Sequence, residues 1–91
     1  MAQKEILSYR NWLLKNHIDQ DTRIGDLARE VRSDRDFPVS DEWETLYEYV
    51  SRAAHHWEAP VLALMESYVQ YRDYVEDVLN GLRNLTLSAF S

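Results

Sequence analysis

The chain has no cysteine, only two glycines and two prolines, and no apolar run near the roughly 18–20 residues that a membrane-crossing helix needs. Without cysteine there is neither a disulfide framework nor a thiolate zinc site, and the composition agrees with a reducing compartment. So few backbone breakers among so many helix-forming residues exclude a turn-rich β architecture and favour helices joined by short connections. The opening Met1-Ala2-Gln3-Lys4-Glu5 leads into an amphipathic segment, not into the apolar run of a signal peptide, so a cytoplasmic protein is expected.

Positive charge is also scarce. Ten Lys and Arg face sixteen Asp and Glu, a net charge of -6. Residues 1–35 hold seven bases and six acids, a net +1, whereas residues 36–91 hold three bases and ten acids, a net -7. Such a chain has no general electrostatic reason to meet nucleic acid, whose affinity comes mainly from neutralised phosphates. At 91 residues it makes one domain with a thin core, too small for a large enclosed pocket.

What is present is helical periodicity. The first helix is expected from Gln3 to Asn16, with Ile6, Leu7, Tyr9, Trp12, Leu13 and Leu14 spread over more than half its circumference. That width predicts neighbours on more than one side. Asp21 or Thr22 suits the cap of a second helix, whose stripe is Ile24, Leu27, Ala28 and Val31, ending before Phe37-Pro38. Ser40 or Asp41 is expected to cap a third, with Trp43, Leu46, Tyr47 and Val50 buried. The pattern lapses through His55-His56-Trp57 and resumes at Pro60, which suits the first turn of a fourth helix running to about Arg83. Residues 84–91 carry no helix signal and are expected to fray, leaving 1–83 as the domain.

Several of these residues together resemble the YozE family of small bacterial proteins. The likeness is carried by Ser8-Tyr9 with Trp12-Leu13, Ile24-Gly25-Asp26-Leu27-Ala28, Asp34, Phe37-Pro38, Leu46, Tyr49-Val50, and then Leu64, Ser67-Tyr68 and Tyr71. It spans roughly Ser8 to Tyr71. Leu64 and Tyr68 depart from the family's usual aromatic and tryptophan, and the fourth helix continues past the family's normal end. The resemblance implies an all-α, single four-helix domain similar to sterile alpha motif domains, here with an extended C-terminal helix, and it implies no activity. That fold serves protein association and nucleic-acid binding alike.

Three places invite a function. His55-His56-Trp57-Glu58 and His17 supply imidazoles, but adjacent helical histidines diverge by about 100° and zinc sites want three or four convergent ligands. The expectation is no metal site, two interhelical histidines and a core or half-buried tryptophan. On the second helix Gly25, Arg29 and Arg32 share one side and would suit a phosphate. The competing reading has Gly25 admitting the first helix, against Trp12, and the arginines pairing with the acidic third helix. On the fourth helix the apolar stripe runs on through Val75, Val78, Leu79 and Leu82, further than a small core needs, to be covered by the first helix or by another chain.

No nucleophile–base pair stands out and the carboxylates fall on solvated faces, so neither catalytic residues nor a cofactor are expected. The reading is a non-enzymatic, regulatory interaction module, acting on a protein partner or by self-association through the fourth-helix stripe. The alternative is nucleic-acid binding through the small patch on the second helix. Neither a membrane nor a small-molecule substrate is indicated.

Overall fold

The computed structural model describes the backbone of residues 6–55 and 57–89 and the side chains of those up to 81. Four helices follow one another: α1 (Tyr9–His17), α2 (Arg23–Ser33), α3 (Trp43–Ala54) and α4 (Glu58–Ala89). The described residues form an all-helical single domain with a long last helix. At 1.5 Å per residue α4 is about 48 Å long and sets the longest dimension of the molecule, 54 Å against 26 and 21 Å for the others. The helices α1, α2 and α3 each have their own relation to it. α1 packs on α2 and α4, and α3 packs on α4, but α2 and α3 lie apart from one another.

Helix α1 begins later than its apolar pattern suggests. Ile6 to Ser8 are not helical, Ser8 is the extended N-cap, and its hydroxyl accepts from the Asn11 N–H at 3.2 Å. Gln3 to Glu5 lie outside the described residues. The breadth of the apolar set is explained by the two neighbours, α2 and α4, and by the extended stretch that carries Leu7 onto the core. Thr22 caps α2 by accepting from the Gly25 N–H at 3.0 Å, and α2 ends before Phe37-Pro38.

The cap of α3 differs from expectation. Glu42 is its N-cap and makes no side-chain cap bond. Ser40 Oγ accepts from the Glu42 N–H, while Asp41 turns away and accepts from the Tyr9 N–H at 2.8 Å. An acidic side chain adjacent to one helix therefore caps another, where the α1 dipole favours its charge. At the other end of α3, His55 takes φ 55, ψ -108, a positive-φ backbone that side-chain-bearing residues rarely adopt. The Trp57 N–H donates to the Ala54 carbonyl at 3.0 Å and closes a turn there. α4 then starts at Glu58, two residues before Pro60, and continues beyond Arg83 to Ala89. Residues 84–89, expected to fray, are helical; 90–91 lie outside the described residues.

The core is assembled from one face of every helix plus the loop residue Phe37. Tyr9, Leu13, Leu46, Leu64 and Ser67 are its fully enclosed side chains. Tyr9 and Ser67 share a 2.6 Å hydrogen bond, and Ser67 Oγ also donates to the Leu64 carbonyl. Burying two hydroxyls side by side is tolerable because each satisfies the other. Trp43 and Tyr47, expected inside with Leu46 and Val50, sit at the margin and stack on one another at 5.5 Å and 4°.

Candidate interaction surfaces

The seam between the N-terminal segment and α4 is closed by tyrosines. Tyr71 donates its hydroxyl to the Leu7 carbonyl at 2.9 Å, and the Leu7 N–H donates to the Tyr74 hydroxyl at 2.8 Å. Both backbone polar groups of Leu7 are thus held by residues about one helical turn apart. Tyr68 donates to the Asp41 carbonyl at 2.7 Å. These bonds explain why the stretch before α1 need not be helical: its backbone is satisfied by α4 instead.

That seam decides part of the α4 stripe. Val75 packs on the core and Val78 is half-buried, whereas Leu79 is 43% exposed. Among the described side chains, Val75 is the last on α4 to join the core. Val75 is therefore covered within the chain, and the exposed part of the stripe begins at Leu79. The side chain of Leu82 lies outside the described residues. Gly81 has nothing within 4 Å of where a Cβ would stand, as suits a helix running clear of the body. On the outer face Leu62, Met65 and Val69 are also exposed, and they follow the helical spacing i, i+3, i+7.

Gly25 admits the end of α1, as one sequence-based reading expects, but Arg29 is placed differently from both readings. A Cβ on Gly25 would stand 1.9 Å from the Gln20 carbonyl oxygen and 3.1 Å from that of His17, so this glycine admits the end of α1 and the connection that follows it. Arg29 donates to the carbonyls of Ile18 and Gln20 at 2.9 and 3.0 Å and pairs with Asp26. Its donors finish the end of α1, where carbonyls lack helical partners, and it does not pair with α3. Arg32 is exposed. The three residues share a side of α2, yet the amide of Gly25 is held by Thr22 and the Arg29 guanidinium by the connection.

His17 is buried as the last residue of α1, its two ring nitrogens hydrogen-bonded to the side-chain amides of Gln20 and Gln70. His55 is exposed at the α3–α4 turn, and His56 lies outside the described residues. Among the described residues no group of three His, Asp or Glu side chains is placed to hold a metal ion. Trp57 is neither core nor half-buried but 75% exposed, at the position immediately before α4 begins. Among the described residues no helix is long and apolar enough to cross a membrane.

Three tyrosines titrate high. Burial pushes Tyr9 up to about 12 against the opposing bond from Ser67. Tyr49 reaches about 12 chiefly because it donates to the Asp34 carboxylate at 2.6 Å. Burial, then the charge of Asp41, lifts Tyr71 to about 12. Each hydroxyl is a structural donor in these positions. The features that sequence reasoning missed, Asp41 as the α1 cap and the α2–α3 separation, have no local signature, since both depend on residues remote in the chain. Comparison with models of known protein families, with curated proteins and with solved structures finds no match.

Proposed function

We propose that this protein is a non-enzymatic interaction module whose binding element is the projecting half of α4, and that it acts through protein–protein contact, with a second copy of the chain as the first partner. The observation that supports this most directly is the continuation of α4 beyond the core. From Val75 to Ala89 the helix runs on for about 21 Å with Leu79 exposed along it. A helix of that length gains little from propensity alone and is stabilised chiefly by packing an apolar face. The YozE-like residues support a sterile alpha motif-like reading, since Tyr9, Trp12, Leu27, Ala28, Leu46 and Leu64 are all in the core. Regulation in a bacterial cytoplasm is the role that this reading assigns to the module.

The nucleic-acid alternative loses support from the way Arg29 is held, because donors committed to backbone carbonyls are not offered to phosphate. Light-scattering mass of the wild type and of Leu79→Asp tests the proposal. A dimer mass that falls to monomer in Leu79→Asp, with helicity unchanged, is expected. A monomeric wild type that captures no partner through this segment counts against it.

A further inference from the structure

Because α2 and α3 each pack on α4 and lie apart, an open groove runs between them. Its wider end is a cleft of about 420 Å³ beside Trp57, His55 and Pro60, and it continues into a recess of about 80 Å³ beside Phe37 and Tyr49. Leu27, Glu30, Ala53, Ala54 and Pro60 line both, so the two are one surface. Its floor is apolar and its rim is charged.

The charges at that rim are unevenly committed. Arg23 pairs with Glu66, Asp26 with Arg29, and Asp34 accepts from Tyr49. Among the described residues Glu30, which is exposed, makes no ion pair. Asp26 is offset by Arg29, which leaves the carboxylates of Glu30 and Asp34 at this groove, and residues 36–91 carry the -7 balance. At the mouth stands Trp57, a large aromatic ring 75% exposed on a strained turn. An indole is the aromatic face best suited to a cation.

We propose that this groove receives a short basic segment of a partner protein, one arginine or lysine of which meets the Trp57 indole and the Glu30 carboxylate while a neighbouring apolar side chain enters the recess. An exposed carboxylate, an exposed indole and an apolar floor are complementary to that chemistry. The groove lies between α2 and α3, away from the projecting half of α4, so it goes beyond the proposal above and is tested separately from it.

The test is an amide chemical-shift and tryptophan-fluorescence titration of the full chain at about 50 mM salt, where exposed charges are weakly screened. The probe is a blocked hexapeptide of alternating leucine and arginine, with leucine–glutamate and glycine–arginine hexapeptides beside it. The leucine–arginine peptide is expected to shift the amides of Leu27, Glu30, Ala53 and Ala54 and to change Trp57 emission. Glu30→Lys should weaken it roughly tenfold and Trp57→Ala roughly threefold. Both side chains are exposed, so circular dichroism of the variants should match the wild type. Absence of groove shifts at millimolar peptide, equal shifts with the glutamate peptide, or binding untouched by Glu30→Lys would each overturn the proposal. Groove amides that shift on diluting the protein alone would assign the groove to a second copy and overturn it equally.

Discussion

The two glycines sit in opposite kinds of surroundings. Gly25 lies at the α1–α2 connection, where a Cβ would meet the Gln20 carbonyl oxygen at 1.9 Å; Gly81 lies on α4 beyond the core, where nothing stands within 4 Å. The same contrast divides the molecule. On the α1 side, backbone and side chains interlock: Asp41 caps α1, Tyr71 and Tyr74 hold Leu7, and Arg29 finishes α1 at its other end. On the other side α2 and α3 leave a groove, Trp57 stands in solvent, and α4 runs on past its neighbours. One half is interlocked, and the other leaves exposed apolar and aromatic side chains, the surfaces on which both proposals rest.

The sharpest way to break this contrast is to exchange the two glycines for alanine. Gly25→Ala should cost about 3 kcal/mol, since the overlap is with backbone and the connection must shift. It should appear as a large drop in urea midpoint, and an unchanged midpoint would mean that the connection has slack.

Alkali acts next, on Tyr9 and Tyr71 in the interlocked half and on Tyr49 beside the groove. A folded-state tyrosine pKa raised from 10 to about 12 means the folded protein holds its proton more tightly than the unfolded chain. The associated stability is whole below pH 10 and is lost as pH climbs from 10 through 12. For buried Tyr9 alone this is on the order of 2 kcal/mol. Denaturation midpoints measured from pH 9 to 12 should therefore fall across that window, and Tyr9→Phe should flatten the fall while lowering the plateau.

Asp41→Ala should cost about 1–2 kcal/mol by removing the remote cap of α1. Asp41→Asn, which keeps an oxygen acceptor, should recover most of it. Equal losses in both would point to the charge and not to the bond. The smallest effect has the opposite sign: Gly81→Ala should stabilise by roughly 0.5–1 kcal/mol, because an exposed helical glycine costs about that much. A loss there would mean that something packs closely on α4 at Gly81.

Much of the fold was legible in the chain because helix stripes are local. Ile24, Leu27, Ala28 and Val31 repeat at helical spacing and all are buried; Thr22 offers a hydroxyl where α2 needs a cap. The end of α4 was less legible. Leu85, Leu87 and Ala89 follow Gly81 without a stop signal, yet the mixed spacing hides the continuation to Ala89 that the backbone shows. Trp57 was misplaced for a related reason, since hydrophobicity says that a tryptophan prefers burial but not where the fold will place it.

By itself the sequence determined what arises within one helix or one turn: an all-α chain, the faces of α2 and α4, and an acidic C-terminal part. These follow from periodicity, capping chemistry and charge, which neighbouring residues supply. The tertiary structure alone decided which helix Asp41 caps, what Arg29 holds, how far the chain covers its own α4 stripe, and that α2 and α3 stand apart. Such outcomes depend on where distant segments meet, because a buried hydrogen-bonding group takes whichever partner the packing brings within reach.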